Sequence, residues 1–380
     1  MANSFPKVGF LLWGLCIAIA CTACTKGNAE TASAEKPIAA TAAQTTQHSA
    51  PETEENAEKA GVYEGSPQHF SEEDIDRFLS HCGDGVASSQ KDTGDTHIKY
   101  SGTTNKGKTF LSLKSTGYHP HEVFQYVDEE RYAIYREYPI YAGEEAYETN
   151  AQYSVGWMFT EPKDFSFATA EEAEKTVRTA LAALGVTDIT LLRTLYIDHN
   201  TMEAAGKKLA SDPAYAPIGE PQENNGYTLR EDWSEADDAY MFSFGIAVEN
   251  TPLSTRFEIQ DTATYTGSKI IVWYSGNGID FLSVDMPWKI GRLLQEPQKI
   301  ISSEEALAIV KNQLDGILTY QNVSYYDPFL EYRYKQEKDT WILYPVWTVK
   351  VSYQMMTNAD TASDVMYRFL CVDARTGEAL

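Results

Sequence analysis

From residue 240 to residue 248 every second position is large and apolar: Tyr240, Phe242, Phe244, Ile246 and Val248. The same rhythm returns at Trp347, Val349, Val351 and Tyr353. Successive strand side chains point to opposite faces, so a period of two describes a sheet with one face buried. Residues 270–274 and 279–284 are two further apolar runs that flank Ser275-Gly276-Asn277-Gly278. Those turn residues tolerate the positive φ of a tight hairpin. Neighbouring runs joined by short turns predict sheets that are mostly antiparallel.

Helices are announced by their caps. Ser71 stands before Glu72, Glu73 and Asp74, and the stripe Ile75, Phe78, Leu79, Cys82 follows at helical spacing. An N-cap hydroxyl takes an orphan backbone N–H, and acids in the first turn suit the helix dipole. Thr169-Ala170-Glu171-Glu172 is a capping box whose stripe Val177, Ala180, Leu181, Leu184 ends at Gly185. Ser302-Ser303-Glu304-Glu305 opens a third helix, with Leu307, Val310 and Leu314 inward and Gly316 past its end. A shorter helix after Asn200 uses Met202 and Leu209. The expected class is α+β, tandem helix-on-antiparallel-sheet units with helices on one sheet face. The openings at 168–173 and 301–306 are alike, which fits either a repeated unit or ordinary helix-start chemistry.

Charge then narrows the partners. The 380 residues carry 31 Lys+Arg against 55 Asp+Glu, a formal net charge of −24. A nucleic-acid surface needs clustered cations to displace counterions, so no nucleic-acid partner is expected. At the N-terminus Lys7 precedes an apolar run at 8–20, the pattern of a secretory signal peptide. The run falls short of the ~20 residues of a spanning helix. The following Ala20-Cys21-Thr22-Ala23-Cys24 resembles the bacterial lipobox, whose cysteine is lipidated and becomes the mature N-terminus. Cys24 fits best as the lipidated residue, with Cys21 the alternative. The resemblance implies a lipid anchor on the extracytoplasmic face of a bacterial membrane. Residues 25–62 lack aromatics and consist largely of Ala, Thr, Glu, Gln and Ser, too little apolar surface to offset ordering entropy. A disordered tether spanning roughly 35 Å is expected there, with His48 solvated. The expected division is a signal peptide at 1–23, a tether at 24–65, and α+β domains at 66–165, 166–300 and 301–380.

The last segment carries a family resemblance. Ile301-Ser302-Ser303-Glu304-Glu305-Ala306-Leu307 begins a helix, Trp347-Thr348-Val349-Lys350-Val351 follows as a strand, and the chain ends Val372-Asp373-Ala374-Arg375-Thr376-Gly377-Glu378. That order resembles a PepSY-type module, in which such a helix packs on an antiparallel sheet and the last hairpin carries a turn of this kind. The turn itself is chemically sensible, since Asp373 closes an Asx-type turn and Gly377 supplies positive φ. More loosely, the layout upstream is similar to YycH- and YycI-type regulators of cell-wall sensor kinases. Both resemblances imply a surface module that binds or regulates another extracytoplasmic protein, a peptidase or a sensor.

Several residues mimic chemistry. Gly102-Thr103-Thr104-Asn105-Lys106-Gly107-Lys108-Thr109 matches the P-loop pattern, but a β-patterned run follows where a phosphate-binding helix is required. His119 and His121, with His69, His81 or His97, lack the spacing of a zinc site. His81 and Cys82 are adjacent on a helix and diverge by about 100°, so they form no nucleophilic pair. Cys82 and Cys371 both read as core residues, and a disulfide between them depends on their separation. Among the abundant acids, Asp280 and Asp285 are one example of a glycosidase-like carboxylate pair. Two Tyr-rich stretches, Tyr132, Tyr135, Tyr138, Tyr141 and Tyr320, Tyr325, Tyr326, Tyr332, Tyr334, make a cell-wall glycan the alternative ligand. A hydrolase with an unrecognised site ranks third. No catalytic residue, cofactor or metal ligand is expected, and the reading is a non-catalytic surface lipoprotein.

Overall fold

The computed structural model describes residues 59–115, 121–136, 159, 161–213, 223–226, 229–256, 258–260, 263–265, 267–315, 317, 320–358, 361–362 and 366–380. The chain enters through β1 (Lys59–Pro67), α1 (Glu72–His81), β2 (Val86–Thr93), β3 (His97–Thr104), β4 (Thr109–Ser115), β5 (His121–Val127) and α2 (Glu129–Arg136). It continues with α3 (Ala170–Leu184), β6 (Ile189–Ile197), α4 (His199–Ser211), β7 (Ala239–Val248), β8 (Thr251–Pro252), β9 (Glu258–Gln260) and β10 (Ala263–Tyr265). Then come β11 (Lys269–Ser275), β12 (Gly278–Asp285), β13 (Trp288–Lys299), α5 (Ser303–Leu314), β14 (Tyr320–Tyr325), β15 (Phe329–Glu337), β16 (Thr340–Asn358), β17 (Thr361–Ala362) and β18 (Met366–Asp373).

The class is α+β, with helices on antiparallel sheets. A nine-stranded sheet runs β2-β3-β4-β5-β12-β11-β7-β6, with β8 also on β7. A seven-stranded sheet runs β13-β1-β16-β14, and β15, β17 and β18 also pair with β16. The first sheet takes β2 to β5 from residues 66–165 and β6, β7, β11 and β12 from residues 166–300, so it crosses the boundary expected at 165/166.

The helix caps form as their chemistry requires. Ser71, Thr169 and Ser302 each accept the backbone N–H of the third helical residue, and the acid there returns to the cap N–H. Gly185 ends α3 at φ 93°. On α5 the deepest residues are Ala306 and Val310, while Leu307 and Leu314 are half-buried.

The expectation of helices on one sheet face needs correction. α1 and α3 cover one face of the nine-stranded sheet, over Tyr240, Phe242, Phe244, Val272 and Leu282. α4 covers the other, setting Met202, Ala205 and Leu209 against Ala239, Met241, Ile271, Trp273 and Phe281. Every residue of β7 is therefore buried. Apolar side chains at consecutive positions, as in 270–273, mark strands covered on both faces.

The expected tether also ends too late. Residues 59–65 belong to β1, which pairs with β13 along its length and with β16 at Tyr63, Glu64 and Gly65. Ala60, Val62 and Tyr63 are buried. Gly61 lets Leu293 lie over it, and Gly65 does the same for Leu343. Lys59-Ala60-Gly61-Val62 has little strand character of its own; its partners lie more than 220 residues away and fix its state.

Candidate functional site

Of the residues the sequence proposed for function, Cys24 and Cys21 lie outside the described residues, as do His119, Tyr138 and Tyr141. The side chains of His121, Tyr135 and Tyr320 lie outside the described ones as well, while Lys108, Asp280, Cys82, Cys371, Tyr132, Tyr332 and Tyr334 are held in structural contacts. The Gly102–Thr109 stretch is the β3–β4 hairpin turn, with Gly107 at φ 81°. Lys108 turns inward, 7% exposed, donates to the Ile279 carbonyl at 2.6 Å and sits 3.8 Å from Asp128. That places it beside Asp280, and the two motifs meet in one buried charge cluster. Arg131 of α2 bonds Asp237 at 2.8 Å and approaches Asp280 at 3.5 Å, and Arg230 reaches Asp237 at 3.2 Å. Asp280 occupies the extra position where β12 slips against β11 between Phe281 and Ile279. It is fully buried, and burial raises its carboxyl pKa. Asp285 is five residues away along the same strand, roughly 16 Å at ~3.3 Å per residue. A glycosidase pair needs about 5–9.5 Å, so the two do not form one.

Asp198, His199 and Asp238 bring one ligand atom each within 4.8 Å, the arrangement a metal would use. The same atoms also serve a helix start. Asp198 caps α4 by accepting from Thr201 N–H, and it pairs with the Lys163 ammonium. Asp238 accepts from His199 N–H at 2.8 Å and lies 2.7 Å from its Nδ1. Burial opposes ionisation of Asp198, but the Lys163 ammonium and the Thr201 amide win and lower its pKa. The lysine supplies the positive charge that a cation would bring.

The thiols are inert for the same reason that they are buried. Burial pushes Cys82 and Cys371 up to about 11, well above the range of a nucleophilic thiolate. They do not pair: Cys82 packs beside the first core, and Cys371 shares a 3.3 Å hydrogen bond with Thr348. Of the Tyr-rich stretches, Tyr132 stacks on Trp273 and Phe281, Tyr332 donates to the Gly61 carbonyl, and Tyr334 packs on Trp288. Tyr332 is core and Tyr132 and Tyr334 are half-buried against it, whereas Tyr326 is exposed.

What is left as a site is a backbone edge. β2 ends the nine-stranded sheet and pairs with β3 alone. From residue 88 to residue 93 its register is unbroken, Ser88 against Thr103 through Thr93 against Ile98. Seven of its eight residues are exposed, and it has neither Gly nor Pro. Its root is rigid. Asp84 accepts from Gly85 N–H at 2.8 Å and Lys106 N–H at 3.1 Å, and Asn105 N–H donates to the Gly85 carbonyl. Burial alone raises the Asp84 pKa, but these bonds and Lys106 hold it below the usual carboxylate range. Lys91 Nζ meets Glu72 of α1 at 2.8 Å, and Ser88 shares a 2.8 Å bond with Thr103. Among the described residues no strand pairs with the outer side of β2. Sequence reasoning passed over this strand because Val86-Ala87-Ser88-Ser89-Gln90-Lys91-Asp92-Thr93 has no apolar alternation. Being an edge is a property of the assembled sheet.

No family model matches the chain, and no curated protein matches it. Among solved structures, it is similar to an uncharacterized protein from Eubacterium rectale ATCC 33656, with a TM-score of 0.56 and 15% identity. The likeness covers 85% of this chain and 86% of that one, and it is a likeness of fold alone.

Proposed function

We propose that this protein is a lipoprotein on the extracytoplasmic face of a bacterial membrane, anchored through Cys24 or Cys21. It acts without catalysis, as a binding or regulatory module for another extracytoplasmic protein. The observation that carries the reading is the open, regular edge of β2, which suits addition of an extended partner segment as a further strand. In that mode main-chain hydrogen bonds supply affinity, and side chains at alternate positions supply selectivity. Ser88 and Ser89 are small and polar, and with Gln90 they are exposed. The likeness of residues 301–380 to PepSY-type modules supports the same class of function.

The test places a photo-crosslinking residue at Gln90 in the full-length chain on cells, with Arg292 of β13 as the second position. Expected is one membrane or wall protein captured from Gln90 and not from Arg292, and lost in a Cys21→Ala/Cys24→Ala variant. Equal capture from both positions, capture of wall glycan in place of protein, or none at all overturns the proposal.

A further inference from the structure

The two faces of β2 set different groups beside a strand added at its edge. Cα partners across an antiparallel pair share a face, and Lys91 is the partner of Tyr100, whose ring packs on the core that α1 helps to build. Ser89, Lys91 and Thr93 therefore face α1, and Lys91 Nζ reaches Glu72 of that helix at 2.8 Å. Ser88, Gln90 and Asp92 face the other way.

Acid surrounds this edge. From Glu72 to Asp95 the chain carries seven acids against Arg77 and Lys91. Asp74 is engaged by Arg77, and Asp84 forms the root of β2. The other five, Glu72, Glu73, Asp76, Asp92 and Asp95, are exposed. Lys91 already takes Glu72 on the α1 side. On the other side Asp92 lies 3.3 Å from His97 Nε2, has Lys99 of β3 as its cross-strand partner and borders the open edge. The second outermost strand is charged in the opposite sense, since β13 carries Lys289, Arg292 and Lys299 against Glu296.

We infer that the segment β2 accepts is basic, an extended peptide of net positive charge with a Lys or Arg opposite Asp92; this rests on the reading of β2 as the strand-addition edge. Opposite charges across a strand pair attract and like charges repel, so such a peptide is drawn to β2 and turned away from β13. Glu73 and Asp76 add a wider attraction that salt screens.

The probes are two nine-residue peptides, capped at both ends, that alternate threonine with lysine or threonine with glutamate. Each is titrated against the full-length chain carrying a photo-crosslinking residue at Gln90, with Arg292 as the second position, while amide exchange is followed across residues 88–93. Expected is capture of the lysine peptide from Gln90 and not from Arg292, on the order of 10-fold tighter than the glutamate peptide at low salt, with slowed exchange in β2. High salt narrows the difference. Asp92→Lys, at an exposed position, reverses the preference. Equal capture of the two peptides at Gln90, a preference for glutamate, or a lysine preference that Asp92→Lys leaves unchanged overturns the inference and leaves the edge reading standing. Capture of the lysine peptide without slowed exchange at 88–93 also overturns it, because the peptide then meets an acidic surface and adds no strand. Capture of neither peptide, while Gln90 still captures a protein on cells, overturns the inference alone; failure of both captures overturns the reading with it.

Discussion

β2 and β13 are both outermost strands, both solvent-facing and both paired on one side only, yet they are built in opposite ways. β13 carries Gly291, Pro297 and four charges at Lys289, Arg292, Glu296 and Lys299, and its register with β1 shifts three times. Proline, bulges and charge are the devices by which proteins blunt an edge against strand pairing. β2 has two charges, no proline and a single register shift between Val86 and Ser88, after which its register is unbroken from residue 88 to residue 93. Leu293 and Leu294 show that β13 is the more apolar edge and so the more in need of protection. An edge that stays regular in the same molecule where another is defended is one the fold keeps available.

The largest effect separating the two edges is expected at the glycines beneath them. A Cβ on Gly102 of β3 would sit 2.1 Å from the Ser88 carbonyl oxygen and 2.7 Å from the Phe110 ring, which forces β2 away. At Gly291 the nearest atom would be the Glu64 carbonyl oxygen at 3.0 Å, a contact that small shifts relieve. Gly102→Ala should cost about 3 kcal/mol and speed amide exchange in β2, whereas Gly291→Ala should cost about 1 kcal/mol. Denaturant unfolding with exchange mass spectrometry measures both. Equal costs would mean that β2 is no more tightly registered than β13.

A second effect, about 2 kcal/mol, comes from the charges between the β2 wing and the root of β13. Glu122 of β5 is 4% exposed, lies 2.5 Å from His69 Nδ1 and faces Lys114 of β4. His69 in turn contacts Lys114 and feels Lys289 of β13. Burial raises Glu122 from 4.5 to about 7, Lys114 opposing. A raised carboxyl favours its protonated form in the fold, so its cost is absent below pH ~4.5 and complete above pH ~7. Glu122→Gln should therefore melt higher than the parent above pH 7 and equally below pH 4.5. His69, lowered by burial and then by Lys114 and Lys289, works in the opposite sense, costing stability as pH falls below its ordinary 6.5. A Glu122→Gln melting curve that tracks the parent at every pH would place that carboxylate in solvent.

Removing protection from β13 should matter by about 1 kcal/mol for each main-chain hydrogen bond it permits. Pro297→Val restores an N–H to the edge, and sedimentation should then show dimers that grow with concentration. In β2 the opposite change, Ser89→Pro, should abolish partner capture while the chain stays monomeric. A monomeric Pro297→Val protein would show that the bulges alone defend that edge.

These edges also mark how far the sequence was legible. Local chemistry was readable where a few neighbouring residues decide the outcome. The Thr169 capping box, the Gly185 stop and the Gly276-Asn277 hairpin loop all form, and Asp373 accepts Arg375 and Thr376 N–H groups with Gly377 at φ 72°. Long-range pairing was not readable. β1 owes its state to residues 288–299 and 341–343, and the second covered face of the nine-stranded sheet depends on where α4 lands. The candidate site is harder still, because Ser88, Ser89 and Gln90 carry no chemical signature.

The smallest expected effect tests what holds β2 in place. Lys91 and Glu72 are 56% and 52% exposed at the side chain, and Arg292 and Glu64, the corresponding pair on β13, are 75% and 38% exposed. Exposed pairs of this kind contribute ~0–1 kcal/mol, and salt screens them. Lys91→Ala and Arg292→Ala should each leave the thermal melt almost unchanged, and the small shift they cause should shrink further in high salt. On that outcome β2 is held by its register on β3 and by the Asp84 root, the two features that make it a rigid template for an added strand. A large loss in Lys91→Ala that vanishes in high salt would instead make the strand a flap pinned by one ion pair. A flap pays ordering entropy on every binding event, and the case for β2 over β13 would then rest on sequence alone.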